Sequence, residues 1–288
     1  MSSAPPEIFD RARRRAARDR AAGRFAAHGF VRAHIADELL ARLDSVQRPF
    51  ARALDLGCAD GQVTAALRAR GIAVVPADAG FAFAHAAGGV QCDEDRLPFA
   101  GASFDLVVAA GGLDQVGDLP GALALVRRAL RPDGLFLGGF VGAGSLPRLR
   151  RAMLEADLAG GGASPRLHPQ IDVRAGGDLL QRAGFALPVA DGDRLVARYR
   201  GLDALLADLR FSGQSNLLAE RSRRPLTRMQ LAAAHVAFAE AAEPDGRTAE
   251  TFELVYLIGW APDPSQPKPA RRGSGTASLA EALKPKAG

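Results

Sequence analysis

The stretch Leu54-Asp55-Leu56-Gly57-Cys58-Ala59-Asp60-Gly61 decides how the rest of the chain is read. An apolar run from Ala51 to Leu56 ends in a glycine turn, and a helical pattern starts at Gln62. Gly57 has no Cβ, so the backbone there can approach a ligand closely. Gly61 lets the helix begin beside it, with unpaired N–H groups facing a carboxylate or a phosphate. Strand, glycine turn and helix in this order open many ligand-binding α/β units, and also serve as plain structural turns.

Outward from this segment the same alternation continues. Apolar runs predict strands at 72–77, 90–91, 104–110 and 135–141. A helix is expected from Leu119 to Leu130, where Leu119, Leu123, Val126 and Leu130 share one face. Arg131-Pro132-Asp133-Gly134 reads as a turn, with proline at the favoured second position. Such alternation implies a mostly parallel sheet with helices on both faces. Pro76 is out of keeping, since an interior strand loses a rung at a residue without N–H. Farther along, helices are expected at 146–158, 176–182, 202–211 and 228–241, and strands at 185–189 and 251–260. Ahead of the first strand, residues 6–27 and 31–46 read as two helices. In the first, Ile8, Phe9, Ala12 and Ala16 form a partial apolar face and the arginines cover the remainder.

Three regions follow. Residues 1–50 are a helical extension, residues 51–261 the α/β domain with helical insertions at about 145–245, and residues 262–288 a Pro-, Ser- and Lys-rich tail with one short helix at 279–283.

The composition is that of an ordinary globule, 48% apolar and 24% charged. The net charge is +5, almost all of it from arginine, with lysine only at Lys268, Lys284 and Lys286. Arginine with abundant Ala, Gly and Pro reflects compositional bias better than a nucleic-acid surface, and no nucleic-acid partner is expected. No run of 18 apolar residues suggests a membrane span. Cys58 and Cys92 form no metal-ligand spacing, and the five histidines (His28, His34, His85, His168, His235) are scattered. No metal is expected. Asp10 and Asp19 among the N-terminal arginines argue against a presequence.

Position then adds meaning to the glycine turn. Asp78 ends the next strand, 21 residues after Gly57, where an acid commonly accepts hydrogen bonds from a ribose diol. Asp93 follows the third strand and precedes Leu97-Pro98-Phe99. Acids at successive strand ends line the sheet edge at which α/β proteins bind ligands.

In these residues the chain resembles the class I S-adenosylmethionine-dependent methyltransferases, with a Rossmann-like, seven-stranded, mostly parallel sheet. The resemblance implies S-adenosylmethionine as cofactor. It places cofactor contacts at Asp55, Gly57, Cys58, Ala59 and Gly61 for the methionine part, at Asp78 and Ala79 for the ribose, and at Asp93, Glu94 and Ala110 around the adenine and the reacting end. Further segments resemble a narrower family, the complex I (NADH:ubiquinone oxidoreductase) assembly factor 5 group. They include Phe9-Asp10-Arg11, Arg18-Asp19-Arg20-Ala21, Ser164-Pro165-Arg166, Leu180-Gln181-Arg182-Ala183-Gly184-Phe185, Gly213-Gln214-Ser215-Asn216 and Gly259-Trp260-Ala261-Pro262, in shared order. That likeness implies a role in respiratory-complex assembly, with hydroxylation of an arginine on a partner subunit. It also implies a bacterial cytoplasmic protein, docking at the inner membrane face.

The chain departs from the family in two places. Ala59 stands where relatives usually carry a third glycine. After the fourth strand, Leu113-Asp114-Gln115-Val116 replaces a Leu-His-Trp-Val segment, leaving Asp114 as the one candidate for a catalytic base. Two other functions stay open. One is ordinary methyl transfer to a small carboxylate or acyl carrier, and the other a non-catalytic assembly chaperone. The leading helix is expected either to cover the cofactor pocket as a lid, with Phe9 packed over it and Arg11 or Arg18 neutralising a carboxylate of the cofactor or the sheet edge, or to lie as a solvated surface helix.

Overall fold

The structure, a computed structural model, describes residues 7–267. The helix expected at 279–283 lies outside the described residues. The elements run α1 (Arg11–Ala22), α2 (Phe25–His28), α3 (Phe30–Asp44), β1 (Arg52–Leu56), α4 (Gln62–Ala69), β2 (Ala73–Asp78), α5 (Phe81–Ala86), β3 (Val90–Gln91) and β4 (Phe104–Ala110). After a 3₁₀ turn at Leu113–Gln115 come α6 (Leu119–Ala129), β5 (Leu130–Val141), α7 (Pro147–Ala159), α8 (Val173–Arg182), β6 (Ala186–Tyr199), α9 (Leu202–Phe211), α10 (Arg228–Ala239) and β7 (Thr248–Trp260). The seven strands form one sheet in the order β3-β2-β1-β4-β5-β7-β6, parallel except where β7 runs against β5 and β6.

The apolar runs explain the layers. β4 is buried on both faces, so its residues alternate between two cores. Leu106, Val108 and Ala110 face a core built with α3, α4, α7 and α10. Phe104, Val107 and Ala109 face one built with α6 and α8. The strand order reverses at β1 and β4, which puts the glycine turn after β1 beside the loop after β4.

Several expectations shift in detail. Residues 6–27 are not one helix, because Gly23 and Arg24 separate α1 from α2. The expected turn at Arg131–Gly134 is absorbed into β5, which begins at Leu130. A register shift against β4 and a left-handed Asp133 (φ 62°) take up the bend. The strand expected at 185–189 runs on to Tyr199. Pro76 costs nothing where it stands. β3 pairs only with Ala77 and Asp78, and Cys92 N donates to Asp78 O on that side. Two residues earlier, Pro76 faces the same way beyond the start of β3, so its missing N–H breaks no rung. No helix among the described residues is long and apolar enough to cross a membrane.

Candidate functional site

The glycine turn holds three left-handed residues, Gly57 (φ 79°), Ala59 (φ 45°) and Gly61 (φ 80°). Ala59 pays the Cβ penalty that a third glycine would avoid. A Cβ on Gly57 would meet Gly111 O at 3.7 Å and Glu94 Oε1 at 3.8 Å, so this glycine keeps a narrow gap open between two strand ends. Arg32, from α3, ties the turn down. It donates to Gly57 O (3.2 Å) and Cys58 O (2.9 Å) and pairs with Asp60 (2.9 Å). The sequence reading missed Arg32. Its signal is a charge three residues before Ile35 on the apolar face of its helix, a place an arginine occupies only when paired.

Asp55 does not reach the gap. It is fully buried behind the turn, accepts from Thr64 Oγ1 at 2.6 Å, and burial raises its pKa. It therefore fixes the start of α4 to β1. Cys58, Ala79 and Ala110 are buried as well, and burial pushes the Cys58 thiol well above its ordinary range. Gly61 is the N-cap of α4.

The acids at the strand ends are brought together, but around a protein element. Arg11, Arg14, Arg15 and Arg18 fall at helical spacing on one side of α1. Arg11 pairs with Asp95 (2.7 Å), Arg14 with Glu94 (2.6 and 2.7 Å), Arg15 with Asp93 (2.5 Å), and Arg18 with Asp78 (2.5 and 2.6 Å). The side chains of Arg14 and Glu94 are 4% and 3% exposed, and those of Arg18 and Asp78 4% and 0%. The apolar face expected here holds at Phe9, which is buried, and fails at Ile8 and Ala12, which are exposed. Arg14, Ala17, Arg18 and Ala21 face inward, whereas Ala12 is exposed. Small alanines and Gly80, where a Cβ would lie 2.8 Å from Arg18 Cβ, let α1 press against the sheet edge.

Burial alone would raise the Asp78 pKa, but the Arg18 guanidinium and the N–H groups of Ala59 and Gly80 outweigh it and hold the carboxyl below the usual range. The same balance, with Arg11 as partner, lowers Asp95. The four donors to Asp78 divide evenly. Ala59 N (3.0 Å) and Arg18 Nη2 (2.5 Å) meet Oδ2, and Gly80 N (2.7 Å) and Arg18 Nε (2.6 Å) meet Oδ1. A carboxylate offers about four lone-pair sites, so none is left over. The residue types and the Gly57 gap fit S-adenosylmethionine. A ribose diol on Asp78, however, has to take the place of the Arg18 guanidinium.

Phe9 does not cover this region. It packs with Ala17, Leu217 and Leu218, with its ring edge-on to His168, and bridges to Leu218 as a short strand pair. Beside the acids, on the β4–β5 side, lies a chamber of about 250 Å³ lined by Gly111, Asp114, Arg32 and a set of apolar side chains. Asp114 is half-buried in its wall, and removal from water raises its pKa to about 6. The histidines are dispersed. His28 pairs with Asp208, His34 with Asp193 and His235 with Asp203, while His85 stacks on Phe81 and His168 receives Leu217 N.

Comparison with known proteins agrees with this architecture. Residues 54–138 match the family model described as a methyltransferase domain. The arginine-hydroxylase NDUFAF5 of Danio rerio is 32% identical over 96% of this chain and 90% of its own, and the Homo sapiens protein 35% identical over 88% and 76%. The malonyl-[acyl-carrier protein] O-methyltransferase of Laribacter hongkongensis is 31% identical over 88% and 90%. Among solved structures, YcgJ of Bacillus subtilis superposes with a TM-score of 0.53 at 14% identity, covering 79% of this chain and 99% of its own. The 1,6-didemethyltoxoflavin-N1-methyltransferase of Burkholderia thailandensis, solved with S-adenosylhomocysteine, gives 0.50 at 17% identity, covering 91% and 93%.

Proposed function

Since the chain belongs to the family of the arginine-hydroxylase NDUFAF5 proteins, within the S-adenosylmethionine-dependent methyltransferase superfamily, we propose that it modifies an arginine on a partner protein. The modification is hydroxylation, and the partner is a subunit of the respiratory NADH:ubiquinone oxidoreductase under assembly. The observation that carries this reading is the similarity to the arginine hydroxylases along nearly the whole chain, 96% of it in one case. Two features of the site support it. The chamber, about 250 Å³, has room for a side chain, and it sits next to the strand ends where this fold places chemistry. S-adenosylmethionine, when bound, supplies an activated sulfonium and no oxygen, so the hydroxyl oxygen has to come from dioxygen as co-substrate, its second atom leaving as water with two electrons from a reductant. Gly57, Gly61 and Asp78 are the residues that would hold it, with Arg32 keeping the turn in shape. The partner protein is met in the cytoplasm, at the inner membrane face.

Mass spectrometry of the quinone-site subunit, from cells with and without this gene, tests the reading. One arginine should gain one oxygen atom only when the gene is present. An unmodified subunit in both strains refutes the proposal.

A second reading, a non-catalytic assembly factor, is favoured by one observation. All the lone pairs of Asp78 are taken by protein donors, as in a site put to structural use. Calorimetry with S-adenosylmethionine separates the two, because heat of binding argues for a working cofactor site.

A further inference from the structure

Charges set back from the surface in the chamber lining come in pairs, with one exception; Arg210, also without a salt bridge among the described residues, is exposed. Arg18 has Asp78 at 2.5 Å, Arg32 has Asp60 at 2.9 Å, Arg166 has Asp157 at 2.5 Å, and Asp208 has His28 at 2.7 Å. His168 is neutral near pH 7, because burial lowers its pKa to about 4. Asp114 is the exception. Among the described residues it has no salt-bridge partner, and its Oδ1 is buried without a hydrogen-bond partner. A carboxylate withdrawn from water and left unpaired costs free energy that a ligand's donors can restore. The chamber exposes more apolar than polar wall, with Ile35, Val141, Leu146, Leu149 and Phe252 in its lining. Phe30 and Arg210 line the chamber and are exposed, so it opens to the surface there.

Resting on the reading that an arginine is the target, we propose that Asp114 is the docking group for the substrate's guanidinium and that the apolar chamber holds its aliphatic stem. The chemistry selects this side chain over its rivals. A guanidinium is planar, weakly hydrated and able to donate two parallel hydrogen bonds to one carboxylate. A lysine ammonium is strongly hydrated and pays more to enter apolar walls. The carboxylate of a malonyl group would face Asp114 across the chamber and find Arg18, Arg32 and Arg166 already engaged, with the exposed Arg210 as the one lining arginine lacking a salt bridge among the described residues. Asp114 is accordingly a substrate-binding residue, and the role of general base expected from its position in the sequence gives way to recognition.

The test is calorimetry on the full chain with an acetylated five-residue peptide carrying a central arginine between alanines. Matched peptides carry citrulline, which has the same shape without the charge, or lysine. The arginine peptide should bind at least tenfold more tightly than either. Asp114→Asn should bind the arginine and citrulline peptides within about twofold of each other. Equal binding of the three peptides by the natural protein, or no binding of the arginine peptide, overturns the proposal. So does arginine selectivity that survives in Asp114→Asn. Should Asp114→Asn fail to fold, the peptide comparison on the natural protein decides alone. In cells the two readings separate. A subunit arginine modified equally by the natural protein and by Asp114→Asn sinks the docking role and leaves the hydroxylase reading standing. A subunit unmodified in every strain sinks the hydroxylase reading, and the peptide selectivity still decides the docking role.

Discussion

Removing the Asp78 carboxylate leaves the Arg18 guanidinium buried, 4% exposed, with no counter-charge. Losing one member of a buried pair costs about 3–5 kcal/mol, because the remaining charge is not rehydrated. Asp78→Ala is therefore expected to lose that much stability in urea denaturation. Arg18→Ala should cost about as much, and the double variant far less than the sum. Additive losses would show that the pair is not coupled. Asp114 behaves in the opposite sense. Its folded pKa of about 6 lies above the ordinary aspartate value of 3.8, chiefly through burial. The folded state thus binds the proton more tightly than the unfolded state. Its contribution is fully present below pH 4 and lost as pH rises through 6. Asp114→Asn, which carries no charge, should raise the melting temperature at pH 8 and leave it unchanged at pH 3.5. An equal shift at both values would rule out this origin.

At the scale of elements, α1 occupies the place where a lid was expected to rest upon a ligand. A lid that contacts the cofactor strengthens binding, whereas an occupant competes with it. Arg18→Gln removes two of the four donors on Asp78 and keeps much of the side chain's bulk against Phe83. It should bind S-adenosylmethionine at least fivefold more tightly than the natural protein in calorimetry. Weaker binding would restore the lid. The inward arginines also mark where the sequence stopped being legible. A charge is buried only beside its partner, and the partners of Arg18, Arg15, Arg14 and Arg11 lie 60, 78, 80 and 84 residues away. No local window contains that information, so arginine was read as a solvent face. The strand–turn–helix at Leu54–Gly61 was legible because its signal is local: apolar residues, then glycine where φ is positive. β6 was half legible. Asp191-Gly192-Asp193 looks like a turn, yet the strand continues through it, since β7 supplies a partner at every residue from Val189 to Tyr199. Asp78 and Asp93 were found by spacing; Arg18 was one of two arginines expected to neutralise a carboxylate and does so at Asp78, whereas Arg15 as the partner of Asp93 was not foreseen.

At the scale of the whole molecule, α1 is held to the sheet edge by charge more than by apolar area. The pKa values of Asp78 and Asp95 are depressed, so the stability they lend is present above the ordinary carboxylate range and lost as pH falls through their folded values. Hydrogen exchange should therefore show α1 losing protection as pH falls below the ordinary aspartate value of 3.8, while β4 and β5, buried on apolar grounds, keep theirs. Simultaneous loss in both would mean that α1 and the sheet open as one unit. The far end of the same sheet has a different exposure. β6 is its last strand, and among the described residues nothing pairs with its outer side, so a row of backbone donors and acceptors is available to any extended chain. Val189 and Val196 on that strand are about half exposed, which would suit self-association. Arg194 and Arg198, tied by salt bridges to Glu253 and Glu243, place charge along the same edge. Those two arginines act as gatekeepers, and a chain stripped of them would be expected to polymerise strand to strand, starting from this edge.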